Sequence, residues 1–136
     1  MGENIVMLKL VRPDLILIVG SDAISLFDYF EVEELHGLNK KDCIQRINEG
    51  GTYIDGMCNL IPDSLNENLY YFIFINLKAI SDYDIKNYGL IFHEATHYCF
   101  EKYWYGNFES DQEKEEILIT EAENLGIDIY KIISNI

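Results

Sequence analysis

Basic side chains are scarce in this 136-residue chain: 10 Lys and Arg stand against 24 Asp and Glu, for a net charge of -14 at pH 7. Such a surface repels nucleic acid phosphates and anionic headgroups, so neither nucleic acid nor membrane is expected as a partner. Long apolar runs are missing too. The densest near the start, LILIV, falls far short of the roughly 20 residues that span a bilayer. The opening MGENIVMLKL has no basic segment leading into a long apolar stretch, so no secretory leader is expected. Gly2 is followed at position 6 by Val6, not Ser or Thr, so no myristoylation signal forms. Cysteine is limited to Cys43, Cys58 and Cys99, odd in number and in no CxxC pair. They read as reduced, buried thiols of a cytoplasmic protein.

What remains is a foldable chain. Hydrophobic residues make up 49% of it and aromatics 13%, which suits a globular domain with one core. A single domain over 1–136 is expected, with strands and helices in 1–60 and the chemistry in 61–136. MLKLVRPDLILIV reads as strand material broken at Pro13, with Asp14 to Val19 the stronger piece. SDAISLFDYFEVEELHG predicts a helix whose apolar positions Ile24, Phe27, Tyr29 and Phe30 share a face, ending at Gly37. NKKDCIQRINEGG predicts another, capped by Asn39 and stopped at Gly50 and Gly51.

GTYIDGMCNLI and NLYYFIFINLKAI are strand candidates joined across PDSLNE as a hairpin. In the second, Tyr70, Phe72 and Phe74 alternate with Tyr71, Ile73 and Ile75, so both faces are apolar. Ser81 and Asp84 form a weak capping box for a helix running to about Trp104 and ending near Gly106. A last helix carries Leu118, Ala122, Leu125, Ile129 and Ile132 at helical spacing. The fold class expected is α+β: a small, mostly antiparallel sheet packed against a central helix and a C-terminal helix.

That central helix contains LIFHEATHYC, Leu90 to Cys99. Helix residues four apart face the same way, so His93 and His97 can bring two imidazole nitrogens to one cation at about 2.0–2.1 Å each. Glu94 follows the first ligand and projects beside the ion, where it can take a proton from water. His93, Glu94 and His97 thus supply the three chemical positions of H-E-x-x-H. The flanks Leu90, Ile91, Phe92, Ala95, Thr96, Tyr98, Cys99 and Phe100 are uncharged, and Gly89, one turn before His93, leaves room on the ligand face. A catalytic zinc takes three protein ligands. His36, the other histidine, sits in the last turn of a predicted helix and is read as a charge-dipole residue. The candidates are therefore carboxylates of the last helix: Glu113, Glu115, Glu116, Glu121 and Glu123.

With these residues the chain resembles the gluzincin branch of the zincin metallopeptidases. The resemblance covers Tyr70 to about Ile133; residues 1–60 match no family pattern. In gluzincins a glutamate on a following helix is the third zinc ligand, often about 18 or 19 residues past the second histidine. Between His97 and Glu116 lie 18 residues. A polar residue one turn after that glutamate often braces a ligand, a place held by Thr120, whereas Ile119 stands where a small residue is usual. Glu121, in EAENLG, resembles the segment supplying the ligand in some small gluzincins of phage and mobile elements. Glu116 leads; Glu121 and Glu115 remain alternatives.

The resemblance implies a zinc-dependent peptidase acting on a peptide or protein substrate, with Glu94 as general base. It also implies an edge strand, here NLYYFIFINL, that pairs with substrate backbone, although an ordinary core strand fits that segment equally. An oxyanion donor would be a tyrosine such as Tyr105 or Tyr130, with nothing in the sequence to choose between them. The alternative reading is a non-catalytic, zinc-stabilised binding or regulatory module with the same ligands.

Overall fold

The computed structural model describes residues 5–35, 38–48, 56–60, 71–80, 84–104 and 112–136. The protein is α+β and divides into two compact units, Met1–Ala79 and Ile80–Ile136.

The first unit is built on a mixed four-stranded sheet of order β1-β2-β6-β5: β1 Ile5–Arg12, β2 Leu15–Gly20, β5 Gly56–Leu60 and β6 Tyr71–Asn76. Pro13 and Asp14 turn β1 into β2 as an antiparallel hairpin. This fits a proline that cannot donate to a central ladder. β5 and β6 are antiparallel, as expected, and β2 and β6 are parallel, pairing Ile16 with Phe72 and Ile18 with Phe74. A parallel pair needs a crossover. Helices α1 (Ile24–Phe30) and α2 (Lys40–Asn48) and the short ribbon β3 (Glu34–Leu35) and β4 (Leu38–Asn39) lie within it.

One face of this sheet carries Ile18, Met57, Phe72 and Phe74, clustered with Leu26 and Phe27 of α1 and Cys43 of α2. Leu15, Leu17, Val19, Ile73 and Ile75 on the opposite face are fully buried as well. Burial on both faces is why β2 and β6 read as near-continuous apolar runs. β6 is therefore an interior strand, flanked by β2 and β5: of the two readings of that segment the core strand holds and the edge strand open to substrate does not.

A second correction concerns α1, which stops at Phe30, not Gly37. Glu31 adopts the left-handed conformation with φ 55, and the Val32 amide donates to the Phe27 carbonyl at 2.9 Å. That closure satisfies the helix end locally, and β-branched Val32 and three glutamates follow it. Asn39 caps α2 as expected, its Oδ1 accepting from the Lys41 amide at 2.8 Å. Gly37, Gly50, Gly51, the PDSLNE loop, Ser81 and Gly106 lie outside the described residues.

The second unit pairs α3 (Asp84–Trp104) with α4 (Gln112–Ile133). α4 buries Leu118, Ala122, Leu125, Ile129 and Ile133, with Ile132 only partly covered. Two contacts define the pairing. A Cβ added at Gly126 would sit 3.8 Å from the Phe92 ring, and the Tyr88 and Tyr130 rings stand 6.3 Å apart, edge to face. Four residues back along α3 thus correspond to four forward along α4, so the helices run antiparallel.

All three cysteines are buried thiols outside any disulfide, and no described helix is long and apolar enough to cross a membrane. Phe74 is fully buried, so Phe74→Ala is expected to cost about 3–5 kcal/mol in urea unfolding. Val6→Ala, at a side chain left 55% exposed, should stay within about 0.5 kcal/mol of wild type.

Candidate metal centre

One helix supplies the site. α3 has no proline, and its 21 residues carry His93, Glu94 and His97 in mid-length, where helical geometry is least frayed. At about 100° per residue, His93 and His97 fall on one face while Glu94 turns toward the face of Asn87, Ile91 and Tyr98. Burial follows that division: the His93 side chain is 67% exposed and that of Glu94 5%.

The two Nε2 atoms lie 3.2 Å apart, with ring planes at 79°. Held at 2.0–2.1 Å from a common ion, nitrogens at this separation would subtend about 100–106°, close to a tetrahedral angle. The same spacing serves a hydrogen bond between neutral rings, with one nitrogen protonated and the other accepting. Potential ligand atoms of His93, Glu94 and His97 all lie within 4.8 Å of one another, and Glu94 Oε1 is 3.9 Å from His93 Nε2.

Glu94 is the unusual member. Its Oε2 is buried and accepts no hydrogen bond among the described residues. Burial pushes its pKa from the ordinary 4.5 up to about 7, because desolvation disfavours the carboxylate. An orphaned buried oxygen next to two converging imidazoles is what a cation, or water held beside one, would satisfy. The residues present fit a metal ion.

Gly89, Phe92, His93, Thr96, His97 and Phe100 line an open pocket of about 520 Å³. Among the described residues nothing lies within 4 Å of where a Gly89 side chain would start, so the expected room on the ligand face is there. The Thr96 hydroxyl donates back to the Phe92 carbonyl at 2.7 Å, which presents its methyl group, not a free donor, to the pocket. Phe92 and Phe100 were legible only as uncharged flanks. Their spacing of one turn either side of Thr96 is the signal that places them on the pocket wall, with Phe100 left 37% exposed.

The α4 carboxylates do not join the cluster. Glu116 is exposed and Glu115 and Glu121 are half-buried, and none of the three belongs to the group formed by His93, Glu94 and His97. Tyr130 is half-buried against Tyr88, while Tyr105 and His36 lie outside the described residues. No family model, curated protein or solved structure matches the chain.

The raised Glu94 pKa links stability to pH. In chelator-treated protein the native state keeps a proton that the unfolded chain releases, so stability falls as pH rises from about 4.5 to about 7 and levels off above. Glu94→Gln removes this dependence. The unfolding free energy of the variant relative to wild type should therefore climb across that window by on the order of 3 kcal/mol. Urea titrations of both proteins at successive pH values check this; a flat difference would mean Glu94 ionises as in water.

Proposed function

We propose that this chain is a zinc-dependent peptidase of zincin-like fold, with His93 and His97 as metal ligands and Glu94 as general base. The observation that carries this reading is the convergence of two exposed imidazoles beside a buried carboxylate with one unpartnered oxygen, all on one helix. Neutral imidazoles suit zinc, and an acidic surface of net charge -14 favours the approach of a cation. When bound, zinc acts as a Lewis acid that polarises a carbonyl and acidifies water.

The chain's own residues do the rest. His93 and His97 would hold the ion, and a carboxylate would be its third ligand. Glu94 takes a proton from water and returns it to the leaving amine of the scissile peptide. A pKa of about 7 places it between those two tasks, and a nearby dication lowers it toward the ionised form the first step requires. The apolar wall of Phe92 and Phe100 favours a peptide side chain over a charged group beside the metal. Cysteines outside any disulfide suit a reducing, cytoplasmic setting.

One observation favours a second reading, a zinc-stabilised binding or regulatory module: none of the described α4 carboxylates belongs to the cluster. Glu94→Gln separates the two. In a peptidase it should lower hydrolysis of a peptide library by at least about 100-fold, with zinc content by plasma mass spectrometry unchanged. Full peptide cleavage in Glu94→Gln would sink the general-base assignment. No cleavage in zinc-loaded wild type would leave the binding module.

A further inference from the structure

We propose that the outer edge of β1 takes an extended segment of another protein as an added strand, one whose carboxylate lies between apolar residues. β1 ends the four-stranded sheet and, among the described residues, pairs only with β2. It is the longer of the two end strands, eight residues against five in β5. An unpaired edge offers a row of backbone donors and acceptors to any strand laid beside it. Its side chains add to this. Val6 and Leu10, 55% and 59% exposed, are the two most exposed large apolar side chains among the described residues. Single exposed apolar groups are ordinary, but two on one unpaired strand are surface that a neighbouring strand would cover.

Bulges decide what that neighbour must look like. The register with β2 slips between Ile5 and Met7 and again between Leu10 and Arg12. Met7 to Leu10 is the regular stretch, with Leu8 and Leu10 opposite Ile18 and Ile16 on one face, and Met7 and Lys9 opposite Val19 and Leu17 on the other. The second slip brings Arg12 opposite Leu15, onto the face of Lys9, where a residue three further on would otherwise be turned away. Both basic groups of β1 thus share one face, and the strand has no acidic residue. A strand added here needs apolar residues beside Leu8 and Leu10 and an acidic one beside Lys9. Cross-strand neighbours lie about 5 Å apart, inside a Debye length of about 8 Å, so exposed Lys9 outweighs more distant acidic surface. A second copy of β1 fits badly. Laid antiparallel across this stretch, it sets Lys9 opposite Lys9 or on its diagonal, and like charges there destabilise. Lys9 guards the edge against self-pairing while selecting an acidic strand.

The test is fluorescence anisotropy of three labelled octapeptides against the whole chain: alternating Val-Glu, alternating Val-Lys, and the Val-Glu peptide N-methylated throughout. The Val-Glu peptide should bind, the Val-Lys peptide at least about fivefold more weakly, and the methylated one, which has no backbone donors, not at all. Hydrogen exchange should show the added protection within residues 5–12. Lys9→Glu, at an exposed side chain, should keep the wild-type circular dichroism and reverse the order of the first two peptides. Equal binding of the Val-Glu and Val-Lys peptides, binding that survives methylation, protection elsewhere, or no binding would each overturn the proposal. So would a dimer in sedimentation that excludes the peptide, which would give the edge to a second copy.

Discussion

The site depends on the rotational setting of α3. Residues 93 and 94 are separated by about 100° on a helix, and that angle alone puts an imidazole in solvent and the next carboxylate in the interior. A helix turned by one residue would expose Glu94 and bury His93, leaving neither a converging pair nor a perturbed carboxyl. What sets the rotation within the helical unit is the α4 contact. α4 meets Phe92 at Gly126, and Tyr130 meets Tyr88 one turn away. Ala95 and Cys99, buried, continue that side of α3 toward its C-terminus.

Burying Glu94 has an electrostatic consequence that its sequence neighbours do not share. The chain carries a large negative charge, yet long-range repulsion in water is weak against desolvation at one buried atom. The upward pKa shift is accordingly traced to burial alone. A cation at the histidine pair opposes that shift directly, so occupancy of the site and ionisation of Glu94 are coupled. The same coupling makes the carboxyl unfavourable as a purely structural element. A buried oxygen without a partner costs roughly 1–3 kcal/mol that leucine would avoid.

Most of the secondary structure was legible because its signals are local. The Asn39 cap, the Pro13 break, the period-two alternation of β6 and the Leu118 to Ile129 stripe each lie within a few residues, and each corresponds to an element found. The end of α1 was not legible, because apolar spacing continues past Phe30 while the chain is closed by backbone bonds at Glu31 and Val32. Nor was the interior position of β6. Apolar residues on both faces reveal burial, but whether a strand lies at an edge depends on pairing with β2, more than 50 residues away in the chain.

The same distinction separates the two parts of the candidate site. His93, Glu94 and His97 belong to one helix, so the helical repeat fixes their relation without reference to anything else. A ligand from α4 is a relation between two helices, and counting residues from His97 adds the rise of α3, the intervening seven residues and the rise of α4 as if they were one path. Only the first and last have a known length per residue. Shortening or lengthening the connecting segment would leave the count meaningful as a number and meaningless as a distance. Packing contacts do not suffer from this, because Gly126 against Phe92 ties the two helices at a point beside the site.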